Sequence, residues 1–87
     1  MGESMLPSFR PGQVVLALPR RPLRVGDVVI VRHDNLEKIK RVVGLEGNRL
    51  FVVGDNEEAS TDSRTFGWLD LEQALVGKVV WPRPSTF

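Results

Sequence analysis

The chain has 87 residues, no cysteine and a formal net charge of +1. This length holds one domain, 1–87, with a small core, and the missing cysteines exclude disulfides, thiolate metal sites and a cysteine nucleophile. The balance of 41% hydrophobic and 26% charged residues excludes a disordered tail. Arg20, Arg21 and Arg24 form a local basic cluster, broken up by Pro19 and Pro22, and no dense basic stripe appears, so no nucleic-acid partner is expected. The longest apolar run, Val14 to Leu18, is far shorter than the ~20 residues that span a bilayer, and no leader precedes it. The expectation is a soluble, cytoplasmic protein.

In chain order, Gln13 to Leu18 is a predicted strand, closed by Pro19 and Pro22. Val25-Gly26-Asp27 reads as a turn, and Val28 to Val31 as a buried strand dense in β-branched residues. His33-Asp34-Asn35 is a second turn. Glu37 to Val43 runs extended, and Glu46-Gly47-Asn48 connects it as a hairpin to Arg49 to Val53. Asp70 to Ala74 is the one helical segment, with Asp70 at its start, and Val76 to Trp81 is a last strand ended by Pro82 and Pro84. Five short strands with Gly and Pro punctuation predict a mainly β fold, a small antiparallel coiled sheet or partly open barrel. The 14 residues from Gly54 to Gly67 are polar and fit no strand. A loop this long in a small domain is usually functional or disordered.

A serine attacks a carbonyl only when a base takes its proton. Ser4 lies between Gly2 and Pro7, a context that fixes an irregular backbone able to aim amide N–H groups at an oxyanion; it also reads as an ordinary serine of a frayed terminus. Two bases are available. His33, the single histidine, admits a Ser4–His33–Asp triad, although a solvated turn histidine is the plainer state. Lysine serves when burial favours its neutral form. Alternation along Glu37 to Val43 puts Lys38, Lys40 and Val42 on one face, and Lys40, nearer the apolar end, is the better candidate for burial, unless it is half of a surface ion pair. Arg41 cannot act as a base, because a guanidinium keeps its proton.

Taken in order, four blocks resemble the motifs of type I signal peptidases: Gly2-x-Ser4-Met5-x-Pro7; Val25-Gly26-Asp27-Val28-Val29; Ile39-Lys40-Arg41-Val42-Val43-Gly44-Leu45; and Gly54-Asp55-Asn56, then Ser60-x-Asp62-Ser63-Arg64-x-Phe66-Gly67. The resemblance runs from Gly2 to about Trp81 and implies the fold of the signal peptidase catalytic core. By position it makes Ser4 the nucleophile, with its own N–H as an oxyanion donor, and Lys40 the general base. Ser60 would hold the Lys40 amine towards Ser4, and Asp62 and Arg64 would pair and shape the loop. Met5, Phe9 and Ile39 fall where the family lines a pocket for small side chains. No cofactor or metal is implied. In this chain Gly2 stands where some members carry a side-chain oxyanion donor, and Leu45-Glu46-Gly47-Asn48 replaces the usual Leu-Pro-Gly-Asp.

Signal peptidases carry a membrane anchor before the nucleophile, and none precedes Ser4 in these residues. The chain therefore looks most like the soluble maturation proteases of nickel-type superoxide dismutase, which remove a short N-terminal propeptide. The partner so implied is a precursor with an extended tail. Two rivals keep the chemistry: the catalytic core of an anchored signal peptidase, and a repressor-type self-cleaving domain. A non-catalytic binding module is the remaining alternative.

Overall fold

The computed structural model describes residues 14–19, 22–55 and 61–82. Within them the chain runs β1 (Leu16–Leu18), β2 (Val28–His33), β3 (Leu36–Glu46), β4 (Arg49–Val53), α1 (Ser63–Phe66), β5 (Leu69–Asp70), α2 (Leu71–Ala74) and β6 (Leu75–Trp81). The six strands form one antiparallel sheet in the order β1-β6-β2-β3-β4-β5. Among the described residues β1 and β5 are its two edges, and the sheet does not close into a barrel.

Local chemistry accounts for the turns. Asp34 and Asn35 join β2 to β3 with φ of 52° and 63°, the two successive left-handed residues that a tight hairpin needs and that Asn and Asp tolerate. Before β2, Asp27 N–H bonds to Arg24 C=O at 3.0 Å, and Gly26 takes a φ of 101° that a side chain would resist. The Asp27 carboxylate closes the same turn by accepting from Arg24 N–H at 2.7 Å.

β3 is eleven residues long and serves two partners. Its first half pairs with β2 from His33↔Leu36 to Val28↔Arg41, and its second half pairs with β4 from Arg41↔Val53 to Glu46↔Arg49. Between Val42 and Gly44 the β4 register slips, the bend that an extra residue introduces.

The sheet is covered on both faces. Val29, Val31, Val42, Leu50, Val52, Leu69 and Ala74 form the main cluster, while Val28, Ile39 and Val79 form a second one. Paired residues of an antiparallel ladder share a face. Val29↔Lys40 and Val28↔Arg41 therefore place Lys40 on the main-cluster face and Arg41 on the other. Four successive residues, Ile39 to Val42, are consequently buried, although alternation suggests that one face should be wet.

The expected strands from Val28 onward are all present, with β2 and β3 longer than expected and Arg49 to Val53 unchanged. The expected helix is α2, with Asp70 as its cap accepting from Gln73 N–H at 3.1 Å. Two elements were missed in the polar stretch and after it: α1 and the two-residue β5. The first strand is shorter than expected, since Val14 and Val15 are not in it, and Gln13 lies outside the described residues.

Candidate active site

Of the site residues that the resemblance implies, Lys40, Ile39, Asp62 and Arg64 belong to the described structure. Ser4, Met5, Phe9 and Ser60 lie outside it.

Lys40 is held in the middle of the sheet by the Val29 pairing and is only 2% exposed. Burial lowers its pKa below the ordinary 10.5, because a desolvated ammonium gives up its proton more readily. The Asp62 carboxylate acts against this and raises the pKa, whereas Lys38 and Arg64 add to the lowering. The amine is thus shifted towards the neutral form that a general base requires.

Asp62 is the hub of the neighbouring loop. Its side chain is 1% exposed and caps α1, accepting from Arg64 N–H at 3.1 Å. One oxygen also accepts from Arg64 Nε at 3.0 Å, and the other from Arg64 Nη2 at 2.6 Å. The second oxygen further accepts from Gly54 N–H at 2.8 Å, which ties α1 to the end of β4. Ser63, also buried, accepts from Val52 N–H through its Oγ at 2.9 Å. A helix of one turn cannot stand alone; these side-chain-to-backbone bonds are what hold it on β4.

A second clamp acts on the opposite face. Arg41 donates from Nε and Nη2 to the Asp55 carboxylate at 2.8 and 2.9 Å, and from Nη1 to Gly26 C=O at 2.8 Å. The fork geometry of a guanidinium permits all three bonds at once. The sequence reading placed Asp55 in the polar stretch and its Gly54-Asp55-Asn56 block, and Arg41 in the Lys40 block as a residue that cannot act as a base, but paired neither. Their pairing links a strand to a loop 14 residues on, and no local pattern signals it. The same holds for Ser63.

The remaining candidates are placed as follows. Ile39 packs with Val28 and Val79, on the face opposite Lys40. His33 ends β2 and is half-buried rather than solvated as expected: its ring stacks on Phe66 with centroids 4.0 Å apart, and its Nε2 lies 3.4 Å from Asp34 Oδ2. It is four residues along β2 from Val29, the partner of Lys40, or about 13 Å at ~3.3 Å per residue. The two candidate bases therefore occupy separate places. Among the described residues no cluster of His, Asp and Glu could hold a metal ion, and no helix is long and apolar enough to cross a membrane.

The profile of the Peptidase S24-like family matches residues 1–80. The mitochondrial ATP-independent inner membrane protease subunit 1a of Arabidopsis thaliana is 37% identical over a 114-position alignment that covers 93% of this chain and 67% of the relative. Repressor protein C of Rhizobium phage 16-3 is 40% identical over 60 positions, covering 59% of this chain and 23% of the repressor.

Proposed function

The chain belongs to the S24-like peptidases, and from that membership we propose that it is a serine endopeptidase with Ser4 as nucleophile and Lys40 as general base. The observation that carries the proposal is Lys40 itself, a lysine 2% exposed in mid-sheet whose burial favours the neutral amine.

In the proposed mechanism the Lys40 amine accepts the Ser4 Oγ proton as Oγ attacks the scissile carbonyl. The Ser4 N–H stabilises the oxyanion. The ammonium returns the proton to the leaving amine, and water then attacks the acyl-enzyme with Lys40 again as base. Ser60 orients the amine, while Asp62 and Arg64 shape the loop that carries it. Met5 and Phe9 line the pocket for a small residue before the scissile bond, while Ile39, whose side chain packs on the face opposite Lys40, offers its backbone.

The substrate enters extended and pairs as a strand near Gly2 and Ile39. Among the described residues β4 pairs with β3 only from Arg41 onward, which supports this placement beside Ile39. The proposed substrate is a cytoplasmic precursor with an N-terminal tail, that of a nickel-type superoxide dismutase.

The test uses purified protein and that precursor, with the new N-terminus located by mass spectrometry. Ser4→Ala and Lys40→Ala should each abolish cleavage, and the double variant should add little, since the two groups act as a unit. Turnover by Lys40→Ala with normal thermal stability would refute the dyad. Cutting of a secretory signal peptide and not of the precursor would replace the substrate. The likeness to a phage repressor protein favours one second reading, self-cleavage. It predicts that incubation of the full-length natural polypeptide alone yields fragments at a rate independent of protein concentration.

A further inference from the structure

Phe66 lies on the same sheet face as Lys40, and three contacts seat it there. The His33 ring stacks on it at 4.0 Å with an interplanar angle of 25°. The Lys38 ammonium sits 5.3 Å from its ring centroid, within cation–π range. Its remaining surface packs against the main cluster that contains Val29, Val31 and Val42. In register His33 faces Leu36, Val31 faces Lys38 and Val29 faces Lys40, so His33, Val31 and Val29 form one row and Lys38 and Lys40 the row beside it. Phe66 spans the outer end of both rows.

It is also the last residue of α1, whose cap is Asp62 and whose second residue is Arg64. Thr65 and Phe66 N–H both bond to Asp62 C=O, at 2.8 and 3.1 Å. Moving Phe66 therefore moves the whole turn.

Resting on the dyad proposed above, we propose that Phe66 is a positioning residue: clamped by His33 and Lys38, it seats α1 on the β2–β3 ladder. In doing so it closes the water-facing end of the Lys40 row and sets the place of the Asp62–Arg64 pair. The groups facing this clamp are His33, Asp34 and Lys38 from the hairpin and Asp62 and Arg64 from α1. The electrostatics agree, since burial, Asp62, Lys38 and Arg64 are the causes that act on Lys40, and Phe66 touches or carries the placement of each. Burial is the largest, so loosening the clamp returns Lys40 towards an exposed lysine.

The experiment compares Phe66→Leu, Phe66→Ala and Phe66→Trp in the full chain. With three lysines in the sequence, Lys40 is followed directly by NMR of carbon-labelled lysine side chains through an alkaline titration, with no need for activity. The leucine and alanine variants should move the Lys40 midpoint upward. At neutral pH kcat should drop about tenfold with little change in KM, and the deficit should shrink as pH rises, as for a base that has become harder to deprotonate. Phe66→Trp, which can keep the stack, should restore both. An unchanged Lys40 midpoint in Phe66→Leu, or a loss of activity equal at every pH, would overturn the proposal. Should the Phe66 variants fail to fold, His33→Leu removes the stack from the other side and is judged by the same midpoint. Activity surviving in Lys40→Ala would refute the dyad alone, because the titration still measures what Phe66 does to Lys40.

Discussion

Replacing Asp62 by alanine should be among the costliest single changes in the loop. Its carboxylate accepts from Gly54 N–H, Arg64 N–H and the Arg64 guanidinium, and the losses of these bonds differ in kind. Gly54 N–H is buried and would be orphaned, at about 1–3 kcal/mol. The bond to Arg64 N–H is an N-cap, and its removal costs about 1 kcal/mol. The Arg64 side chain is 38% exposed and can turn to water, so its ion pair contributes at most about 1 kcal/mol. Together these come to about 2–5 kcal/mol. A domain of 87 residues has a total stability of about 4–13 kcal/mol, and for this size 1 kcal/mol moves Tm by about 4–8 °C. Asp62→Ala should therefore melt at least about 8 °C lower by circular dichroism, and urea titration should place the change in the midpoint. Asp62→Asn keeps one acceptor and should lose about half as much, and Arg64→Ala no more than about 1 kcal/mol. If Arg64→Ala cost as much as Asp62→Ala, the ion pair rather than the buried Gly54 bond would be the main contributor, and this account of the loop would fail.

The lowered pKa of Lys40 has a signed consequence for stability. Between its folded value and 10.5 the unfolded chain binds more protons than the folded one, so stability rises with pH across that window and the penalty is greatest below it. Lys40→Met should be more stable than the wild type at neutral pH, with the gap closing towards pH 10; urea titrations at a constant gap would disprove this. Asp62 raises the Lys40 pKa, so Asp62→Asn should shift the alkaline limb of the pH–rate profile to lower pH, and a shift upward would contradict the assignment. Arg41 and Asp55 are nearly fully buried. Breaking their pair with Arg41→Ala should cost about 3–5 kcal/mol, while a double change to apolar residues should cost less than the single one in a double-mutant cycle.

The sequence by itself determined what depends on neighbours along the chain. The β-branched run of β2, the alternation that puts Lys38, Lys40 and Val42 on one face, the Asp34-Asn35 and Gly47-Asn48 connections and the Asp70 cap all lie within a few residues of what they control. The mainly β class follows from them, and the ordered motif blocks pointed to a peptidase core. Tertiary structure decided everything that joins distant residues. Alternation says which side chains share a face, but not which strand lies alongside, so the order β1-β6-β2-β3-β4-β5 and the double role of β3 had no local signature. It also cannot say that both faces are covered, which is why burial of Arg41 beside Lys40 was not anticipated. The stretch after β4 looked like open loop because its polar residues have no apolar period. Asp62 and Ser63 spend their polar groups on the backbone of Gly54 and Val52, and such bonds exist only once β4 is in place. For the same reason His33 looked solvated: the ring that covers it, Phe66, is 33 positions further along the chain, and only the packing of α1 on the hairpin brings the two together.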